Sequence, residues 1–193
     1  MTRRTLEGDG RRARLGIVVP SVNTVMEPWA QRTVPEGVSV LAARMFIPPA
    51  TTAESLIEMD RSEGKMAIRQ LSSVFPDVIA YGCTASSIVQ GLEYDSHLRA
   101  EISETYKVPA TTAAHAILTA ADALGGKLEA YYFALGEHDV VGILDLPDTV
   151  SATALALTIS GTGLVRTKTT VLMTVEETDK ALAKKVAYRG PGK

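Results

Sequence analysis

The sequence lacks disulfide chemistry, long apolar runs and an excess of basic charge. Its single cysteine, Cys83, cannot form an internal disulfide and is a poor start for a zinc site. No apolar run approaches the roughly 18 residues that a membrane-spanning helix needs. A net charge of −2 with a pI near 5.9 gives no global field for nucleic acid. We therefore expect a cytoplasmic protein that binds neither nucleic acid nor a membrane and carries no metal or other cofactor.

The composition is typical of a globular protein, with 46% hydrophobic and 22% charged residues. The 193 residues suffice for one ample core or two small ones. Arginines crowd the N-terminus, but acidic residues and glycines interrupt them and no apolar segment follows. We predict that residues 1–13 form a disordered, solvated tail.

The first half of the chain alternates apolar runs with helical patterns. Short apolar runs predict buried strands at Arg14–Pro20, Val38–Ile47, Val78–Tyr81 and Val108–Thr111. Helices are predicted to begin near Met26 and Thr51 and to cover residues 86–105 and 112–124. This order predicts an α/β fold with a flavodoxin-like, doubly wound parallel sheet.

Two of these helices have capping-box spacing at their starts. Thr24 stands three residues before Glu27, and Thr51 stands three residues before Glu54. We expect each threonine to cap its helix. Gly64 lies within the second of these helices and is a weak point in it.

Small polar side chains follow three of the predicted strands. The carboxyl ends of parallel strands are where ligands bind in such sheets. Hydroxyls, an amide and the free N–H groups of helix N-termini suit a carboxylate or a phosphate, but strand-to-helix turns also need such residues as caps. Both interpretations apply to the following set: Ser21, Asn23, Thr24, Cys83, Thr84, Ser86, Ser87, Thr111 and Thr112.

Cys83 has two interpretations. A thiol at a strand end and a helix N-terminus can be activated as a nucleophile, whereas unpaired cysteines are usually buried and inert. Arg44 either meets a second carboxylate or lines the sheet edge. His97 and His115 are expected to be surface or packing residues, and Tyr81 a core residue.

Segments of the first half resemble maleate cis–trans isomerases and arylmalonate-decarboxylase-like proteins of the aspartate/glutamate racemase superfamily. The segments are GIVVPSVNTVMEP, VSVLAARM, DVIAYGCTASS and VPATTAAHA, within residues 14–125. The resemblance implies that Cys83 attacks or deprotonates a substrate carbon, and that Ser21, Asn23 and Thr24 hold a substrate carboxylate. Thr84, Ser86, Thr111 and Thr112 complete the substrate-binding set that we predict.

The second half departs from that superfamily, whose members have two similar lobes and in most cases a second cysteine. Strands at Leu128–Ala134 and Val140–Leu146 predict a hairpin around Gly136–Asp139. A helix over 151–160, a strand at Leu164–Met173 and a helix from Thr174 to Lys185 follow. His138 in the turn has a catalytic interpretation, but ordinary hairpin chemistry explains the same residues.

This half resembles the GYD domain, a small ferredoxin-like α+β family. The segments LGGKLEAYYFALGEHDVVGILDLPD and VRTKTTVLMT carry the resemblance, within residues 113–189. We place the two domains at 14–125 and 126–193 and predict that helix 112–124 is shared between them. Either Val108–Thr111 pairs with the C-terminal sheet, or the C-terminal unit is incomplete. Open strand edges predict a homodimer or a higher homo-oligomer.

Two functions fit these resemblances. The first is a cofactor-independent isomerase, racemase or decarboxylase that uses Cys83 on a small dicarboxylate, impaired by the loss of a second lobe. The second is a non-catalytic ligand-binding or assembly protein that dimerises through its GYD-like half. The motifs of the first half favour the enzyme, and the absent second cysteine and lobe favour the binding protein.

Overall fold

The computed structural model describes residues 10–47, 51–134, 137–138, 140–161 and 166–187. The chain forms two compact units, Met1–Pro147 and Asp148–Lys193. Most of the predicted tail, and Gly136 and Asp139 of the predicted turn, lie outside the described residues. The end of that tail is ordered, since the Arg12 N–H donates to the Gly37 carbonyl at 2.9 Å.

The first unit alternates strands and helices before it ends in a hairpin. Its elements are β1 (Ala13–Pro20), α1 (Met26–Thr33), β2 (Val38–Met45), α2 (Ala53–Met59), a π-helical turn (Asp60–Gly64), α3 (Lys65–Ser72), β3 (Val78–Tyr81), α4 (Thr84–Tyr106), β4 (Ala110–Thr112), α5 (Ala113–Ala123), β5 (Lys127–Phe133) and β6 (Val140–Asp145).

Four strands form a parallel sheet in the order β2-β1-β3-β4. This is the strand order of the flavodoxin-like sheet that the sequence predicts, and β3 has the predicted bounds. The two inner strands, β1 and β3, are rich in buried apolar side chains because they are covered from both faces. Ile17, Val18, Val19 and Ile79 are all at most 1% exposed. The chain reverses direction across the sheet between β1 and β3, which creates a switch point there.

The helix predicted to begin near Thr51, with Gly64 as its weak point, is divided into three pieces. The π-helical turn separates α2 from α3 and shifts the side-chain phase, so that Ile68 is buried while Met66 is 51% exposed. The predicted cap is one residue off. Thr52 and Ser55 form the capping box rather than Thr51 and Glu54.

The predicted hairpin is confirmed. Strands β5 and β6 pair in antiparallel register from Lys127–Asp145 to Phe133–Val140, with an irregularity between Leu128 and Ala130. The hairpin belongs to the first compact unit, which therefore extends past the domain boundary that the sequence predicts at 125–126. Gly125 has a φ of +73°, as expected of the glycine that ends α5.

The second unit contains α6 (Thr149–Gly161) and α7 (Val175–Leu182). Thr174 and Glu177 form the predicted capping box of α7. The strand predicted at Leu164–Met173 is wrong for its described part, because residues 166–173 belong to no helix or strand. A strand needs a neighbour to satisfy its backbone, and no strand is described within residues 148–187.

Gly91 breaks α4 with a backbone conformation of φ 86° and ψ 170°. Only glycine adopts this region without strain. We expect Gly91→Ala to lower the free energy of unfolding by about 1–3 kcal/mol, measured by urea denaturation followed through the fluorescence of Trp29. Gly142→Ala is the control, because an added Cβ would lie an ordinary 3.5 Å from Tyr131. Equal effects of the two substitutions would contradict the assignment of strain to Gly91.

Candidate functional site at the strand ends

The turns that follow β1 and β3 lie next to each other at the switch point of the sheet. The Gly82 N–H donates to the Val18 carbonyl at 2.7 Å. A Cβ at position 82 would lie 2.8 Å from Met26 Cε and 3.2 Å from the Val18 carbonyl oxygen. A larger residue would require the Met26 side chain to move, because this side chain of α1 packs against the end of β3. Two of the four segments that carry the isomerase resemblance, GIVVPSVNTVMEP and DVIAYGCTASS, are thus neighbours in space.

Asn23 caps α1. Its Oδ1 accepts from the N–H groups of Val25 and Met26 at 3.1 and 2.9 Å. The predicted capping box of Thr24 and Glu27 is wrong, because the Glu27 carboxylate pairs with Arg44 at 2.7 Å. Thr24 is exposed at the tip of the turn. The Asn23 side-chain oxygen is therefore occupied, and its amide nitrogen is the polar group left for a ligand.

Arg44 fixes the same turn to β2. Its guanidinium donates to the backbone carbonyls of Asn23 at 2.7 Å and of Ser21 at 3.3 Å. The Ser21 hydroxyl accepts from the Ile47 N–H at 3.2 Å. These contacts give Arg44 a structural role in holding the turn, so it is not available to meet a substrate carboxylate without releasing the turn.

Cys83 stands directly between β3 and α4, as predicted, but its side chain is turned into the core. It is 2% exposed and its sulfur lies 3.1 Å from the Ser86 hydroxyl oxygen. Burial raises the pKa of the Cys83 thiol, the Ser86 hydrogen bond lowers it in part, and the charge of Asp60 raises it further. The resting side chain is accordingly a protonated thiol at neutral pH.

The other polar residues of this turn face different ways. Ser86 and Ser87 are buried, and Thr84 is half-buried at the first position of α4. The Ser87 hydroxyl contacts the Cys83 carbonyl at 3.4 Å, whereas the Ser86 hydroxyl reaches Asp60 Oδ1 at 2.8 Å. Of the predicted binding residues in this turn, Thr84 is the one with a side chain that is not enclosed by the core.

Asp60 is the site residue that sequence reasoning missed. It lies on the π-helical turn, is 5% exposed, and accepts hydrogen bonds from four side chains. The Tyr81 phenol makes a short contact, and the other donors are Ser86 Oγ at 2.8 Å, Gln90 Nε2 at 2.7 Å and Tyr94 Oη at 3.0 Å. Burial and the charge of Asp60 raise the pKa of both tyrosines. We call Asp60 and these four donors the Asp60 cluster.

One sequence signal points to this cluster. Asp60 follows Leu56 by four residues, which places a charged residue on the apolar face of a predicted helix. Gly64 follows at the same spacing. A Cβ at position 64 would lie 2.8 Å from the Tyr81 hydroxyl, so this glycine makes room for the phenol.

The end of β4 contributes a third polar group next to β3. Thr112 is buried and caps α5, accepting from the His115 N–H at 3.1 Å and donating to Asp95 Oδ2 at 2.5 Å. Thr111 is half-buried beside it. Within the described residues, Asp95 Oδ1 and Arg99 Nε are buried without a hydrogen-bond partner. The Thr112 hydroxyl is fully engaged within the protein, whereas the Thr111 hydroxyl makes only a long contact of 3.5 Å to the Thr112 carbonyl and is the more available of the two to a ligand.

The histidines do not form a base next to Cys83. Burial and the charge of Arg99 lower the pKa of His115, whose Nε2 lies 3.0 Å from Arg99 Nη1. The side chain of His97 is 79% exposed.

No group of three or more His, Cys, Asp or Glu side chains in the described ranges is placed to hold a metal ion. None of the described helices combines the length and apolarity that crossing a bilayer requires.

The structure of the first unit is similar to maleate isomerase. The maleate isomerase Iso of Pseudomonas putida S16, a cysteine-to-alanine variant solved with maleate, matches at a TM-score of 0.52 and 25% identity. That match covers 59% of this chain and 50% of the isomerase. A liganded double mutant of arylmalonate decarboxylase matches at a TM-score of 0.50 and 23% identity, covering 58% of this chain and 47% of that one, which shows the fold alone. The first unit has a racemase-like fold.

Residues 99–182 match the model of the GYD domain. The match begins within α4 and includes α5, the helix that the sequence predicts to be shared. No curated protein matches the sequence. The chain spans about half the length of the solved structures it resembles.

The Asp60 cluster predicts unequal effects of two tyrosine substitutions on α4. Tyr94 and Tyr106 are both half-buried and packed against the core, but only Tyr94 donates to Asp60. We expect Tyr94→Phe to lower the free energy of unfolding by about 1.5–3 kcal/mol, the range for a hydrogen bond to a charged group. Tyr106→Phe should change it by less than about 0.5 kcal/mol. Urea denaturation measures both, and equal losses would contradict the role of Tyr94.

Proposed function

We propose that the protein is a cofactor-independent isomerase of the maleate isomerase type, acting on a small unsaturated dicarboxylate. The observation that carries this proposal is the position of Cys83. It follows the inner strand β3 after Gly82 and immediately precedes α4, and Gly82 joins this turn to the end of β1 through Val18. The similarity to a maleate isomerase solved with maleate supports the choice of substrate class.

The strand ends offer groups that suit two carboxylates. The N-termini of α1 and α4 direct their positive dipole ends to the switch point, although Asn23 Oδ1 already takes the Val25 and Met26 N–H groups of α1. The amide nitrogen of Asn23 and the hydroxyls of Thr24, Thr84 and Thr111 add donors at the same edge. The hydroxyls of three other residues form hydrogen bonds within the protein and help to hold these turns in place; they are those of Ser21, Ser86 and Thr112.

The chemistry needs only a thiol. Addition of sulfur to one alkene carbon and of a proton to the other gives a single bond that can rotate. Elimination of the same two groups then restores the double bond in the trans geometry. Negative charge develops next to a carboxylate during addition, and in this proposal the positive dipole ends of α1 and α4 stabilise it.

In this proposal, residues that do not belong to the first unit cover the strand-end edge and complete the site. The chain spans half the length of the maleate isomerase it resembles, and one lobe alone leaves the strand-end edge open to water, which weakens electrostatic stabilisation. A homodimer or higher homo-oligomer that covers this edge is part of the proposal.

A second candidate is a non-catalytic binding or assembly protein. The burial of Cys83 favours it, because an enclosed thiol with a raised pKa is a weak nucleophile. In this view a ferredoxin-like GYD half, incomplete in one chain, associates with another copy. The second unit offers exposed apolar residues at Val171–Met173, beside a cavity of about 310 Å³ that Lys180 and Lys184 also line.

An activity measurement separates the two candidates. We expect the full chain to convert maleate to fumarate, followed by the olefinic proton signals in NMR spectra. Cys83→Ala should reduce the rate at least about a hundredfold, since it removes the reacting group. Ser87→Ala is the matched control, because Ser87 is equally buried but its hydroxyl reaches only the Cys83 carbonyl. An inactive wild-type chain, or an active Cys83→Ala variant, would contradict the proposed function.

A further inference from the structure

The hydroxyl of Ser86 has two neighbours but only one hydrogen. Its oxygen lies 2.8 Å from Asp60 Oδ1 and 3.1 Å from Cys83 Sγ. A carboxylate accepts only, whereas a thiol can donate or accept. Both contacts are satisfied together when the thiol donates to Ser86 and Ser86 donates to Asp60. If sulfur loses its proton, the thiolate and Asp60 compete for the same hydrogen.

We expect the Ser86 hydrogen to bond to Asp60 rather than to a Cys83 thiolate. Hydrogen bonds to a carboxylate are stronger than those between neutral groups. Within the described residues Asp60 takes part in no ion pair, so neutral donors alone compensate its buried charge. Withdrawing the Ser86 hydrogen would remove one of four donors from a buried anion.

Burial raises the pKa of the Cys83 thiol by more than the backbone N–H groups of Ser86 and Ala85 lower it, and the charge of Asp60 raises it further. The titratable side chains that face Cys83 are Asp60, from the π-helical turn, and Tyr81, from β3. The phenol of Tyr81 is itself bound to Asp60. A thiolate would therefore stand beside an existing negative charge, in a site that is 2% exposed.

We propose that Asp60 is a positioning residue that restrains Cys83: it takes the hydrogen of Ser86 and holds the sulfur as a protonated thiol. Its relevance to turnover rests on the proposed function, in which Cys83 is the reacting group. The restraint itself is a property of the folded chain without substrate. The Ser86–Asp60 hydrogen bond explains how a strand-end cysteine stays unreactive in the protein without substrate.

The test is a pH titration of the Cβ signal of Cys83 by carbon-13 NMR, on full-length protein labelled at its single cysteine. We expect the wild-type midpoint to lie above the ordinary thiol value of about 8.5. Asp60→Asn should lower the midpoint by about one pH unit or more, because it removes the charge and because a neutral amide oxygen competes with a thiolate for the Ser86 hydrogen less well than a carboxylate does. In a Ser86→Ala background the same substitution should lower it by a smaller amount, since only the charge effect remains.

The control is Tyr94→Phe, which removes a donor from Asp60 without changing its charge and should not lower the midpoint. A wild-type Cys83 titration midpoint at or below the ordinary thiol value overturns the proposal. Because this measurement needs no variant, the proposal can be tested even if Asp60→Asn does not fold. An unchanged or raised midpoint in folded Asp60→Asn also overturns it. So does an equal decrease in both backgrounds, because Ser86 would then play no part. No substrate is present, so an inactive wild-type chain with the expected titration removes the proposed function alone.

Discussion

The buried carboxylate of Asp60 is the constraint on which the site depends. An uncompensated ion in a protein interior costs several kcal/mol, so the fold must supply donors to it from several directions. Here they come from the end of β3 and from the first half of α4, through Tyr81, Ser86, Gln90 and Tyr94. These bonds tie the π-helical turn to the segment that carries Cys83. The break at Gly91 separates Gln90 from Tyr94 along α4, and both still reach the same carboxylate.

The sequence predicts the strands well because each is a short apolar run that must be buried. It also predicts that the polar residues after β1, β3 and β4 converge, since the ends of adjacent parallel strands share an edge. It does not predict which of those side chains turn inward. Ser86 and Thr112 fit the pattern of ligand-binding hydroxyls, but they serve Asp60 and Asp95, whose positions depend on packing between distant segments. The strand expected at Leu164–Met173 fails for a related reason, because β-branched residues form a strand only beside a partner.

The two resemblances in the sequence correspond to real but unequal features of the structure. The racemase-like fold is complete enough to create a switch point with a cysteine beside it. The GYD match begins in α4 and ends at residue 182, so it crosses from the first compact unit into the second. The chain combines a racemase-like fold with a buried Asp60 cluster that contacts the thiol of Cys83 through Ser86. Ancestry and present reactivity are separate properties of the same residues.

The central claim is that the ends of β1, β3 and β4 form a site for a small dicarboxylate. The most direct measurement is a titration of the full chain with maleate, followed through backbone amide signals in nitrogen-15 NMR spectra. The account predicts shifts concentrated at Asn23, Thr84 and Thr111 and their neighbours, with the amides of the β5–β6 hairpin unaffected. Shifts confined to the lysine-lined cavity of the second unit, or no shifts at a saturating maleate concentration, would contradict it.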